Sequence, residues 1–101
     1  MKREFFQWLA STDRLRIRFD TTRGQVARLV VQYEALIGNK WEPIVRYDTA
    51  HGYLHKDLYV RGKKEKVKKE RVPITDFNQG LTRAIEDLKK DWQNYRKRFM
   101  G

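Results

Sequence analysis

Residues 14–19 alternate without a break, with Arg14, Arg16 and Arg18 on one side and Leu15, Ile17 and Phe19 on the other. Alternation with a period of two marks a half-buried β-strand. The turn-forming run Asp20-Thr21-Thr22-Arg23-Gly24 follows, and a second strand is predicted over residues 25–37. Gly38-Asn39-Lys40 reads as a hairpin turn, residues 41–48 as a third strand, Thr49-Ala50-His51-Gly52 as another turn, and residues 53–60 as a fourth strand.

The period changes at both ends. Phe5, Phe6, Trp8 and Leu9 fall at helical spacing and predict a short helix over residues 3–9, which Ser11, Thr12 and Asp13 break. After Pro73, Thr75 or Asp76 can cap a helix, and Asp76 also suits its positive end. Phe77, Leu81, Ala84, Ile85, Leu88, Trp92, Tyr95 and Phe99 then recur at steps of three and four, with no proline between them. The expected fold is α+β: a four-stranded antiparallel meander, a short N-terminal helix, and a long C-terminal helix packed on one face. The 101 residues leave room for a single domain.

Register follows from the turns. A four-residue loop at 49–52 sets Arg46 opposite His55 and Ile44 opposite Asp57, and sends Tyr47, Pro43 and Trp41 to the other face with Leu54, Leu58 and Val60. A three-residue loop at 38–40 pairs Ile37 with Trp41, Gln32 with Arg46 and Glu34 with Ile44. The apolar face then receives the helix through Leu81, Ile85, Leu88 and Trp92. Lys56 is the exception on that face, its stem snorkelling at an edge. The uncovered face carries Arg14, Arg16, Arg18, Arg28, Gln32, Glu34, Arg46, Asp48, Tyr53, His55 and Asp57, with His51 at the rim. Every sheet with one wet face shows polar residues there, and pairs such as Glu34 and Arg46 are worth little energetically. Both histidines of the chain, however, fall in or beside one hairpin.

Composition adds charge to this picture. Lys and Arg number 23 against 13 acids, a net +10, which attracts nucleic acid or anionic membrane by its long-range field. Residues 61–72 hold seven bases and two acids, half of that excess, and read as a mobile solvated loop, with a short charged ribbon around Val67 as the alternative. Cysteine is absent, so neither a disulfide nor a thiolate ligand is available. No apolar run reaches membrane-spanning length and the N-terminus does not read as a signal peptide, so a cytoplasmic location and no membrane partner are expected.

Within residues 46–57 the residue types suit acid–base chemistry on RNA. Cleavage through a 2′-hydroxyl needs a base, an acid and a cation at the phosphate. His55, oriented by Asp57 or Asp48, can move the proton while Arg46 grips the phosphate. A competing reading makes Asp48, His51, His55 and Asp57 ligands of Zn²⁺ or Mn²⁺, but the spacing matches no strong metal signature. A hydrogen-bonded His–Asp turn without catalysis is a third. No cofactor is expected, and any ribonuclease activity would be metal-independent. Arg14, Arg16, Arg18, Arg28, Tyr53, Lys63, Lys64, Lys68 and Lys69 are the expected nucleic-acid contacts, with tyrosines placed to stack on single-stranded RNA.

The stretch WEPIVRYDTAHGYLHKDL resembles the TumE-like toxins, in which an Arg-x-Asp strand precedes a histidine-containing hairpin, and the element order resembles the RelE/ParE toxin architecture. The likeness covers residues 33–58, and here the histidines are isolated where that family has adjacent ones. It implies an RNA-acting toxin with Arg46, Asp48, His51 and His55 at the matching positions and a helix-turn-helix antitoxin as partner. A non-catalytic basic module that binds nucleic acid or another protein is the alternative, and homodimerisation is left open.

Overall fold

The computed structural model describes residues 1–62 and 66–101, all with their side chains except Lys66 and Val67. One antiparallel sheet runs in chain order through β1 (Lys2–Ala10), β2 (Asp13–Thr22), β3 (Gln25–Ile37), β4 (Lys40–Asp48), β5 (His55–Tyr59) and β6 (Lys66–Arg71), and α1 (Phe77–Met100) lies across it. This corrects the expected four strands and N-terminal helix: the sheet has six strands, and the first of them occupies the segment whose spacing suggested a helix. Aromatic residues at positions 5, 6 and 8, with Leu9 beside them, satisfy both periods. In the fold Phe6 and Trp8 sit opposite Arg16 and Arg14, while Phe5 sits opposite Ile17 on the other side. The basic segment supplies the other extra strand, with Lys69 opposite Asp57 and Arg71 opposite His55.

Short turns set the register of the first three pairings. Arg23 and Gly24 close the β2–β3 hairpin with φ of 52° and 76°, the doubly positive pair that a type I′ turn needs. Gly38 (φ 65°) opens a two-residue turn that pairs Ile37 with Lys40, one residue tighter than the sequence suggested. Farther along, Tyr33 pairs with Val45 but Glu34 with Pro43, so Ile44 is an extra, unpaired residue. A bulge beside Pro43 is where a strand accommodates a residue with no N–H to give its ladder. It buries both Ile44 and Val45, restores the expected Gln32–Arg46 pairing, and moves Trp41 and Pro43 to the face away from the helix, against the expectation.

The inner face meets α1. Leu15, Ile17, Leu29, Val31, Tyr33, Tyr47, Leu54 and Leu58 form the core with Ala84, Leu88 and Phe99 of the helix, while Leu81, Ile85 and Trp92 are partly buried against it. Asp76 caps the helix by accepting from Asn78 N at 2.9 Å. Asn78 Oδ1 in turn accepts from Val26 N, tying the helix start to β3. Lys56 does not snorkel: its ammonium donates to Tyr95 Oη and pairs with Asp87 at 3.3 Å. Tyr47 and Tyr95 both donate to Asp87, and Tyr33 donates to buried Asp13. Burial, reinforced by these carboxylates, pushes all three phenols far above the ordinary tyrosine range. No helix among the described residues is long and apolar enough to cross a membrane.

Candidate nucleic-acid interface

The outer face of the sheet, away from α1, is built by the even-numbered residues 2–8 of β1, 14–20 of β2 and 28–36 of β3 and continues through Arg46, Asp48, His55, Asp57, Lys69 and Arg71. The β4–β5 connection is longer than expected. Asp48 pairs with His55 and Arg46 with Asp57, so six residues, 49–54, form the loop. The register therefore differs by two residues from the one expected. A shift of two preserves the face, so Arg46, Asp48, His55 and Asp57 still share one side, but Arg46 stands opposite Asp57 rather than His55.

Three of them, Asp48, His55 and Asp57, come together beneath the surface rather than on it. His55 is 1% exposed, Asp57 0% and Asp48 4%. His55 Nε2 lies 2.7 Å from Asp48 Oδ1 and 3.5 Å from Asp57 Oδ2. Ala50 N donates to Asp48 Oδ1 at 3.0 Å, and Arg46 Nε pairs with Asp48 Oδ2 at 2.9 Å. The loop closes over the imidazole, with the rings of His51 and Tyr53 at 5.6 and 5.7 Å from it and the Arg71 guanidinium 4.6 Å over Tyr53. A proton-transfer residue must come within hydrogen-bond reach of its substrate. Closed off in this way, His55 lies between the loop and the strand that carries Arg46.

Asp48, His55 and Asp57 offer ligand atoms within 4.8 Å of one another, a donor set of two carboxylates and an imidazole that suits Zn²⁺ or Mn²⁺. His51 is not part of this set. Asp48, however, is already in contact with the imidazole, a backbone N–H and a guanidinium, and a divalent ion here would face the Arg46 charge and displace the His55–Asp48 contact.

Beside this cluster the outer face hollows into a cleft of about 360 Å³, whose charged lining is Lys2, Arg18, Arg28, Arg46, Asp20 and Asp48. Arg28 pairs with Asp20 at 3.1 Å and is 76% exposed. Among the described residues Lys2 and Arg18 have no ion pair, so the cleft keeps a positive surplus. Lys2 escapes a sequence reading that makes residues 3–9 a helix. Its signal is the same alternation, Lys2, Glu4, Phe6, Trp8, that extends the arginine face of β2.

The other expected contacts divide. Arg16 is on this face, paired with Glu4 at 3.0 Å with both ends exposed. Arg14 is immobilised: its Nε donates to buried Glu34 at 2.8 Å, and its guanidinium stacks 3.9 Å from Trp41 and 4.2 Å from Phe6. Tyr53 lies over His55. Lys69 is on the outer face, while Lys68 stands on the helix side, paired with Glu70 at 2.9 Å. Lys63 and Lys64 lie outside the described residues.

No curated protein and no solved structure matches the chain. One family model spans residues 1–101, and by that match the chain belongs to the family described as domain of unknown function DUF7718.

Proposed function

We propose that the chain binds nucleic acid, with the phosphate backbone seated in the outer-face cleft. The observation that carries this reading is the convergence of Lys2, Arg18, Arg28 and Arg46 from four different strands on one concavity. The cluster of Asp48, His55 and Asp57 is the support of the site: it holds residues 49–54 against the strand that presents Arg46. Bases also occur along α1, but between Arg83 and Asp91 they are interspersed with Glu86, Asp87 and Asp91. The likeness of residues 41–58 to TumE-like toxins makes RNA the first polynucleotide to try.

The test is incubation of the purified protein with labelled RNA, with and without EDTA, read by anisotropy for binding and by gel for cleavage. Binding without cleavage in both conditions is the expected result. Lys2→Ala with Arg18→Ala should weaken binding and lower the slope of log K against log salt by about 1.4, at ~0.7 for each single-strand phosphate that is no longer neutralised. Lys89→Ala with Lys90→Ala, on the helix, should leave the slope unchanged. RNA cleavage that disappears in a folded His55→Ala protein would instead make the buried histidine catalytic.

A further inference from the structure

Trp8 and Phe6 occupy the outer face of β1 and are 57% and 44% exposed. They are held rigidly. Trp41 meets Trp8 edge-on, with ring centroids 5.7 Å apart and planes at 65°. The Arg14 guanidinium lies against both Phe6 and Trp41. Glu34, buried at 5% exposure, fixes that guanidinium, and Gln32 Nε2 donates to its other oxygen at 2.6 Å. A surface that leaves large rings in water while locking their supports in a buried ion pair is preorganised for something flat.

The same face carries the cationic cleft. Arg14 and Arg18 are four residues apart on one side of β2, so cleft and rings lie about 13 Å apart along the strand at ~3.3 Å per residue. Resting on the nucleic-acid reading above, we infer that Trp8 and Phe6 form a stacking platform for unpaired bases and that the ligand is a single-stranded polynucleotide. A duplex hides its base faces within the stack, whereas an unpaired strand can lay phosphates in the cleft and turn bases onto the rings. Arg14 contributes by stiffening the platform, its charge being already engaged by Glu34.

The experiment is a set of titrations with 12-nucleotide single strands of RNA and of DNA and with the duplex of the same sequence, each followed by anisotropy and by tryptophan fluorescence. Either single strand should bind at least about tenfold more tightly than the duplex and quench the fluorescence. Trp8→Ala should weaken single-strand binding by about 5- to 150-fold, the range for removing one base–aromatic stack, with little effect on the duplex. Trp8→Phe, which keeps a ring, should restore most of the affinity and excludes a folding defect as the cause. Equal affinity for single strand and duplex, or an unchanged Trp8→Ala protein, would overturn the platform and leave the cleft standing. Failure of every polynucleotide to bind would refute the nucleic-acid reading itself. Loss of self-association in Trp8→Ala with unchanged binding would assign the rings to a second copy of the chain and overturn the inference.

Discussion

Replacing His55 by alanine should unfold this protein more readily rather than merely silence it. The side chain is 1% exposed and its Nε2 pairs with Asp48 at 2.7 Å. Losing a hydrogen bond to a charged acceptor costs about 1.5–3 kcal/mol, and large-to-alanine changes at buried sites cost about 2–5 kcal/mol. The two overlap, because Asp48 keeps Ala50 N and Arg46 as partners, so a total of roughly 3–5 kcal/mol is reasonable. A domain of this size has about 5–15 kcal/mol in all. The urea midpoint should therefore fall by roughly 1.5–3 M for a slope near ~1.7 kcal/mol/M. His55→Leu, which is close in volume but has no N–H, should recover much of the packing part. A His55→Ala protein with the wild-type midpoint would refute the anchoring role, and a stable, folded variant would reopen catalysis.

Trp92, edge-on to Tyr33 at 6.0 Å, should lose about 3 kcal/mol on Trp92→Ala, the low end of the range for a large aromatic because it is only partly buried; an unchanged urea midpoint would show the stripe to be idle. Tyr33, Tyr47 and Tyr95 have phenols raised above their unfolded values, so the stability they contribute is complete below about pH 10 and falls as pH rises beyond it, at ~1.4 kcal/mol per unit for each. In a protein with Tyr53 and Tyr59 replaced by Phe, their ionisation at 295 nm should coincide with loss of the circular dichroism signal; phenolate appearing in that protein while it is folded would contradict the burial. Gly24→Val places a β-branched residue at φ 76° and should destabilise the β2–β3 hairpin by about 1–3 kcal/mol, measured by thermal melting; no change in midpoint would mean that the turn is not under conformational constraint.

The long helix and the β2–β3–β4 meander were legible because their binary patterns are clean. Alternation in Arg14 to Phe19 and the three-four stripe from Phe77 each admit one period. The N-terminal strand was not legible, since its aromatic residues at 5, 6 and 8 with Leu9 fit a helical period as well as an alternation. The basic strand was hidden because its ladder partners, not its own composition, hold it in place. At the site, parity survived a two-residue error in loop length, so the residues sharing a face could be named. Burial could not be read: nothing local announces that residues 49–54 fold back over His55. Trp41 went to the wrong face for one physical reason, the extra residue at Ile44.

The tryptophans report on opposite sides of the sheet: Trp8 and Trp41 belong to the outer face, while Trp92 packs between helix and core. Their indole N–H resonances in a ¹⁵N-labelled protein, followed while a single-stranded RNA 12-mer is added, therefore test the binding face most directly. Binding across the outer face should shift Trp8 and Trp41 and leave Trp92 in place. Movement of Trp92 with Trp8 and Trp41 unmoved would contradict it and put the ligand on the helix side.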